Sequence, residues 1–589
     1  MIISCRQTPK SRLPHLGRTT AIALALGLGI APGLRATVVF DGATSPDAFN
    51  ANIDAQDGIM AGGFSVGIAQ QPTPGAPPPP TDGSLVISSG STLTAGGDVL
   101  VGNTAGNDGT MIVTGAGSGL LVPGQLVVGN GVVLPGLGGG VPGATSVGTV
   151  DVSAGASLEA AQLVVGTFAA GATSGLGDGA LDVSGTGSHL QINGFARIGQ
   201  DGTGTLDLTS GATAAVSGDL SIAHTGGGSG SVTVGNGAAL DVERALRVGE
   251  AGTGTLDLEG GAITAGALVA GRAPSGNGDI AITGSTSRVD LMGVPGVLPA
   301  QLQLGVAGRA DMRIDLGAEV VLHGDGAIVQ VARGDADQPG APAARPGSGL
   351  EISGGGRLVA DGAGVRMNIG QTANASGTVT LSGGGSALRL GAPDSRLRVG
   401  RDGAGLLSVS FGASVQAGLI EVGSQGVLMG NGGTVAGVVT VAAGGVVSPG
   451  LSPGELHFSD FVDFAAGGTL VLEVGVASGG GLVLDRVHFD GGVDLAGAIV
   501  ELSLLDGLGA NVLDTLSIGD FVDVLGVAAA PSVFADASFT LRTGGPTTTA
   551  LAFSTSTGGF ALPPSAVPEP ASLALALLGL VGARRRRRG

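Results

Sequence analysis

The chain has 589 residues, of which 116 are glycine, and because the glycines follow no Gly-X-Y period the composition excludes collagen. A hydrophobic content of 43% argues against a disordered chain. The whole chain has 27 basic and 46 acidic residues and a formal net charge of −19. Ten of the basic residues lie in the two termini, and without them the 17 remaining basic residues and 46 acidic residues give a net charge of about −29. This negative charge excludes nucleic acid as a partner.

The first 36 residues are predicted to form a signal peptide. Four basic residues precede an apolar run from Thr20 to Ala31, and Leu34-Arg35-Ala36 follows it, so we expect cleavage after Ala36. No twin-arginine pair precedes the run, which makes the general secretion machinery the expected route. The single cysteine, Cys5, lies in this segment, so we expect neither a disulfide nor a thiolate metal ligand in the mature protein.

Residues 37–82 are predicted to be an N-terminal segment that ends in a proline-rich spacer. The stretch from Gln71 to Pro80 closes with four consecutive prolines, which favour an extended polyproline II conformation. A second proline-containing stretch, from Asp335 to Ser348, is predicted to be an insertion loop between repeats.

Residues 83–450 contain a repeat that is clearest in two copies of Gly-Thr-Gly-Thr-Leu-Asp-Leu, at Gly202–Leu208 and Gly252–Leu258. Each repeat joins short strands of alternating polar and apolar residues through glycines and ends on an apolar-Gly pair. A unit of roughly 20 to 25 residues with two or three strands is typical of one coil of a β-solenoid. The predicted closing glycines are Gly102, Gly129, Gly166, Gly199, Gly249, Gly271, Gly370, Gly400 and Gly423, with Ala223 and Gly305 in equivalent places.

The predicted fold class is therefore all-β, a repetitive parallel β-helix followed by a β-rich C-terminal module. Equivalent strands of successive coils would stack about 4.8 Å apart, with alternate Leu, Val and Ile residues in a continuous core. Glycine would serve the corners that need a positive φ. Residues 83–450 are expected to form about 15 to 18 coils. A β-propeller is the rival fold, but the aromatic signatures of its blades are missing.

One strand position is predicted to form an interrupted acidic row that faces solvent. Its neighbours on both sides are apolar, so the position itself points outward. The row is expected to keep the sheet soluble, and a further hypothesis is that it binds Ca²⁺ weakly through Asp151, Asp182, Asp207 and Asp257. The complete aligned position is Asp151, Asp182, Asp207, Thr233, Asp257, Ala281, Asp315, Thr380 and Ser408.

Histidines offer no metal site that the sequence can identify. His189, His224, His323, His457 and His488 are scattered without the spacing of metal ligands, and each is expected to lie on the surface or in a turn. Residues 451–555 have fewer glycines and longer apolar runs, and they are predicted to form a β-rich cap or module that covers the end of the solenoid.

Residues 556–589 are predicted to be a linker and a sorting signal. Val567, Pro568, Glu569 and Pro570 precede an apolar run from Ala571 to Ala583. Thirteen residues at about 1.5 Å each span about 20 Å, less than a hydrocarbon core of about 30 Å, so we expect a weak and temporary transmembrane helix. The run is closed by Arg584, Arg585, Arg586, Arg587 and Arg588.

This tail resembles the PEP-CTERM sorting signal of Gram-negative bacteria that produce exopolysaccharide. The repeats, among them Gly177–Gly199 and Gly252–Gly271, resemble the glycine-rich repeat shared by type V secretion passengers and PEP-CTERM proteins. The five arginines are expected to hold the C-terminus in the cytoplasm. The resemblance implies transient anchoring in the inner membrane and cleavage by exosortase at or near Pro568 to Pro570. Cleavage would release the body or transfer it towards the cell surface.

The sequence thus predicts an exported, non-enzymatic surface protein, linked to exopolysaccharide, adhesion or biofilm, with no cofactor other than weakly bound Ca²⁺. A β-helical polysaccharide lyase or glycosidase is the alternative, because carboxylates of neighbouring coils such as Asp207 and Asp257 would fall within catalytic range of each other. The absence of Trp and Tyr, which usually line sugar sites, disfavours an enzyme. A type V passenger is the third possibility, but no membrane barrel follows the repeats.

Overall fold

The computed structural model describes most of the repeat region and little of the termini. The described residues are 37–42, 44–45, 57–59, 64–66, 82–103, 107–131, 145–167, 177–334, 347–450, 454–477, 480–505, 508–543 and 547–562. The predicted signal peptide, the proline-rich spacer, nearly all of the insertion loop and the sorting signal lie outside them.

The chain winds into a parallel β-solenoid with three faces, A, B and C, which confirms the predicted fold class. One coil places Gly177–Ser184 on face A, His189–Ile192 on face B and Ala196–Ile198 on face C. The next coil begins with Thr203–Thr209, which pairs in parallel with Gly177–Ser184 from Asp178↔Thr203 onward.

Face A is a single sheet of 20 strands within the described residues. Seventeen of them run parallel, one per coil, and three pair antiparallel. Fourteen of the parallel strands fall within 83–450, slightly fewer than expected because coils with long connections use more residues. The strands are Thr37–Gly42, Gly83–Ser88, Asp108–Thr114, Ser146–Ser153, Gly177–Ser184, Thr203–Thr209, Ser229–Gly235, Thr253–Glu259, Asn277–Thr283, Arg309–Asp315, Ser348–Ile352, Ser376–Ser382, Ala404–Ser410, Gly426–Asn431, Val446–Ser448, Thr469–Val476, Leu482–Leu484, Ile499–Leu504, Ser538–Thr543 and Thr548–Ala550.

Faces B and C are formed by shorter strands. Face B contains Asp57–Ile59, Thr92–Thr94, His189–Ile192, Thr213–Val216, Arg288–Leu291, Glu319–Leu322, Arg357–Ala360, Ala387–Leu390, Glu455–Phe458, Arg486–Phe489, Val522–Val524 and Val527–Ala528. Face C contains Thr44–Ser45, Phe64–Val66, Val99–Val101, Ala196–Ile198, Leu220–Ile222, Gln301–Leu304, Ile328–Val331, Arg366–Ile369, Arg396–Val399, Val462–Phe464 and Val493–Asp494.

Six long strands continue from face B onto face C, and a terminal hairpin and three short 3₁₀ helices complete the described elements. The long strands are Gly119–Asn130, Ser157–Thr167, Ala239–Val248, Ala262–Ala270, Ser414–Val422 and Gly433–Val441. The hairpin is Ala552–Phe553 with Phe560–Ala561, and the helices are Ala510–Thr515, Ile518–Asp520 and Pro531–Phe534.

The core consists of columns of aliphatic side chains that stack from coil to coil. On face A one column holds Val150, Leu181, Leu206, Val232 and Leu256, which pair in register and are at most 1% exposed. Because successive residues of a strand point to opposite sides, the polar residues between them face outward. The alternation of apolar and polar residues in the sequence thus corresponds to the inner and outer sides of the solenoid wall.

The corner between faces C and A explains the closing glycines. Gly199 has a φ of +68°, and a Cβ added there would lie 2.1 Å from the carbonyl oxygen of Ser229 in the next coil. All but one of the predicted closing positions share a positive φ, including Ala223 at +57°. Gly423 is the exception, since its φ lies outside that region.

Buried serines reinforce the corner between faces A and B, a feature that the sequence did not suggest. Ser188 Oγ accepts a hydrogen bond of 3.0 Å from the backbone N–H of Gly155 in the preceding coil. It also donates one of 2.7 Å to the carbonyl of Ser184. Other serines at this corner accept the same inter-coil bond, namely Ser118 from Gly90, Ser287 from Gly260 and Ser386 from Gly355.

The ladder of face A continues across residue 450 and ends on antiparallel strands. Thr37–Gly42 pairs antiparallel with Gly83–Ser88 at one end, and Thr548–Ala550 pairs antiparallel with Ser538–Thr543 at the other. In the C-terminal coils aromatic rings join the aliphatic core. The fully buried ones are Phe458, Phe464, Phe489, Phe521 and Phe534.

Candidate functional site

The acidic row runs along the outer side of face A. Asp151, Asp182 and Asp207 are direct neighbours in register on three successive strands, and Asp257 follows after Thr233. Their backbones are therefore about 4.8 Å apart from coil to coil. Each aspartate is only partly exposed, and Asp151 Oδ1 is buried without a hydrogen-bond partner among the described residues.

This stacking changes the acidity of the row. Burial raises the pKa of Asp182 to about 6, and the charges of Asp207 and Asp151 on either side add to the effect. Burial also raises the pKa of Asp257, with further contributions from Asp279 and Asp207. Among the described residues these carboxylates form no ion pair with a basic side chain, and carboxylate oxygens are the ligands that a hard divalent cation prefers.

Asp315 does not belong to the acidic row, so its predicted alignment was wrong. In the register of face A, Arg313 lies next to Ala281, and Asp315 lies next to Thr283. Burial alone would raise the pKa of Asp315, but hydrogen bonds from the Leu316 backbone and the Arg313 side chain hold it below its usual value. Asp315 therefore serves a local ion pair and does not extend the row.

A shallow groove of about 450 Å³ lies along face C. Glu421, Thr440 and Asp463 follow one another in register along its floor. The Arg398 Nε atom lies 2.5 Å from Glu421 Oε2, and Arg401 also borders the groove. Among the described residues that line it there is no aromatic side chain, so the groove offers charge and hydrogen bonds but no stacking platform for a sugar.

His457 and His488 come together on face B, although the sequence suggested no such cluster. They are neighbours in register on strands Glu455–Phe458 and Arg486–Phe489, and their rings stack with centroids 4.2 Å apart. Glu455 Oε1 lies 3.0 Å from His457 Nε2 and 2.9 Å from His488 Nε2. Asp523 Oδ2, on the following coil, lies 3.0 Å from His488 Nδ1.

The remaining described histidines are partly exposed and each contacts a single polar partner. His189 Nδ1 lies 2.9 Å from the hydroxyl of Thr213, and His323 contacts Asp290. His224 Nδ1 lies 2.8 Å from Glu250 Oε2. Although burial opposes it, hydrogen bonds from Ser221 and His224 and the charge of Arg247 lower the pKa of Glu250.

The residues predicted to direct export and sorting lie outside the described part of the chain. These are Ala36, Val567, Pro568, Glu569, Pro570 and Arg584 to Arg588. In the part that the structure describes, no helix combines the length and the apolar character needed to cross a membrane.

Comparison with known proteins identifies the tail. The PEP-CTERM protein-sorting motif matches residues 566–588, as predicted, and it implies a secreted protein that exosortase processes on the way to the cell surface. No curated protein matches the chain. Among solved structures the chain is similar to the "Crystal structure of TibC-catalyzed hyper-glycosylated TibA55-350 fragment", at 13% identity over 76% of this chain and 97% of that one. The TM-score of 0.25 supports no inference from that similarity.

Proposed function

Because the chain carries a PEP-CTERM protein-sorting motif at residues 566–588, we propose that it is a non-enzymatic protein of the cell surface or extracellular matrix. In this proposal it is linked to exopolysaccharide, adhesion or biofilm. The motif is the observation on which the proposal rests, because it implies processing by exosortase on the way to the cell surface. The solenoid supports it, because seventeen stacked coils make a rod on the order of 80 Å long that displays polar residues on three faces.

The proposal includes the route to the surface. The signal peptide would export residues 37–566, and the apolar run before Arg584 would hold the C-terminus in the inner membrane until exosortase cuts near Pro568 to Pro570. To test this step, the Pro568-Glu569-Pro570 triplet is changed to alanines in the producing bacterium. We expect the variant to remain larger and in the membrane fraction, whereas unaltered sorting would contradict the proposed route.

A matched control separates recognition of the triplet from general damage to the tail. Pro563 and Pro564 lie only a few residues before the motif and outside residues 566–588. Changing them to alanines should leave processing intact. If both variants lose sorting equally, the triplet itself is not what exosortase recognises.

Polysaccharide binding is the second part of the proposal, and its rival is cleavage. Glu421 and Asp463 lie two coils apart in one column of the face C groove, which separates their backbones by about 9.6 Å. A pair of carboxylates at roughly that separation is found in inverting glycosidases, so the groove is where an enzymatic activity would reside. However, Glu421 is already paired with Arg398, which favours binding over acid-base chemistry.

Incubation of the full chain with labelled extracellular polysaccharide from the producing bacterium distinguishes the two functions. We expect retention of the polymer with no change in its chain length. The appearance of shorter products that disappear in the Glu421→Gln and Asp463→Asn variants would establish a glycosidase instead. No retention and no products would contradict a direct role in the polysaccharide matrix.

A further inference from the structure

The cluster on face B has the composition and the arrangement of a transition-metal site. Glu455, His457 and His488 each offer one ligand atom, and the three atoms lie within 4.8 Å of one another. Two imidazole nitrogens with one carboxylate oxygen form a donor set that suits Zn²⁺ and its neighbours in the first transition series better than Ca²⁺ or Mg²⁺. We propose that this cluster binds a divalent transition-metal ion of the Zn²⁺ class.

Asp523 prepares His488 for this role. Asp523 Oδ2 lies 3.0 Å from Nδ1 and would attract a proton to that nitrogen, and in a neutral ring this leaves the lone pair on Nε2. Ligating histidines commonly carry such a carboxylate on the nitrogen that does not bind the metal, because it fixes the tautomer and the ring orientation. Asp523 is therefore a positioning residue, one step removed from the ion.

The contact between His488 and Glu455 also suits a bound cation. His488 Nε2 lies 2.9 Å from Glu455 Oε1, yet it is buried and makes no hydrogen bond with adequate geometry. When the ring proton is on Nδ1, both atoms are electron-pair donors, so their close approach is repulsive unless a positive charge lies near both of them. Either a metal ion or a proton supplies that charge, and these two alternatives can be separated by experiment.

The scaffold beneath the site is closely packed. Phe458 and Phe489, which follow the two histidines, stack with ring centroids 5.3 Å apart and are fully buried in the core. Since alternate residues of a strand point to opposite sides, these anchored rings fix His457 and His488 on the outer side. His457 is 39% exposed and Glu455 is 46% exposed, so an ion can reach the cluster from solvent on their side, and one position would remain for water.

Titration of the full chain with ZnCl₂, followed by isothermal calorimetry, tests the proposal. We expect one high-affinity equivalent, and with Co²⁺ the visible absorption of a four-coordinate ion. The His488→Ala and His457→Ala variants should each bind at least tenfold more weakly. Asp523→Asn should weaken binding by about 10- to 100-fold without removing a ligand.

His189→Ala is the matched control, because His189 occupies the same outward column of face B, where its neighbours are Ser157 and Thr213. It should bind Zn²⁺ as the unaltered chain does. Far-UV circular dichroism checks that each variant is folded, and Glu455→Gln, which keeps the size of the side chain, replaces any histidine variant that is not. Absence of a Zn²⁺ equivalent, binding that survives loss of both histidines, or equal competition by Ca²⁺ would each overturn the proposal.

Discussion

Replacing Asp182 by asparagine should make the solenoid more stable at neutral pH. Asp182 lies between Asp151 and Asp207 in the acidic row, and burial together with these neighbours raises its pKa from 3.8 to about 6. A carboxylate with a raised pKa binds its proton more tightly in the folded state, so stability is lost as the pH rises from about 4 to about 6. Asparagine keeps the size of the side chain and removes the charge.

The size of the effect follows from the pKa difference. A shift of about two units corresponds to about 3 kcal/mol when the group is fully ionised. Because Asp182 is only partly buried and solvent screens its charge, we expect on the order of 1–2 kcal/mol at pH 8. At pH 5 only part of that gain remains, since the native carboxyl is then partly protonated.

Urea unfolding followed by circular dichroism, at pH 8 and at pH 5, measures the gain as a shift in the transition midpoint. The control is Asp178→Asn, which removes the same charge from the same strand but outside the row. The control separates the row from the general benefit of a less negative chain. Equal shifts for the two variants, or a gain for Asp182→Asn that does not shrink at pH 5, would refute the role assigned to the row.

Three further outcomes follow from the same structure. Millimolar CaCl₂ should raise the melting temperature of the full chain if Asp151, Asp182, Asp207 and Asp257 bind Ca²⁺. No rise, or a rise that persists when all four aspartates are changed to asparagine, would contradict this binding. Gly199→Ala should lower the free energy of unfolding more than Gly237→Ala. Both glycines have a positive φ, but a Cβ at Gly199 would meet the backbone of Ser229, whereas a Cβ at Gly237 would meet nothing within 4 Å. Equal losses in urea unfolding would contradict this prediction. Ser188→Ala should cost about 1 kcal/mol in the same assay, since the N–H of Gly155 loses its partner, and an unchanged midpoint would show that water replaces the hydroxyl.

The fold could be predicted from the sequence because its rule is local. Alternation of apolar and polar residues determines which side chains enter the core, and glycine at the end of each unit determines where the chain turns. The same rule gave the register of Asp151, Asp182 and Asp207, because each follows a glycine by a similar number of residues. It gave the wrong register at Asp315, where Arg313 holds the outward position and no repeated glycine pattern precedes the strand.

The metal cluster could not be predicted by the search for ligand spacing, because its ligands belong to different coils. His457 and His488 are 31 residues apart, which is the length of one coil in this part of the chain and a spacing that no short metal motif contains. The signal was present in another form. The apolar-His-Phe triplets Leu456-His457-Phe458 and Val487-His488-Phe489 repeat at the coil length, and the shared phenylalanine marks the register.

The acidic row can keep the solenoid soluble without binding a ligand, so the calcium experiment distinguishes two different roles for it. A solenoid rich in apolar residues risks lateral association through its flat faces, and uncompensated charge opposes such contacts. Repulsion within the row is strongest between adjacent coils because it falls with distance, but across Thr233 the charge of Asp207 still contributes to the raised pKa of Asp257. Thr233 and Ala281 interrupt the row and limit the repulsion along it.

If the row serves only solubility, Asp-to-Asn replacement should increase both stability and aggregation, with no response to Ca²⁺. If it binds Ca²⁺, the ion should supply the stability that the replacement gives, and the two effects should not add.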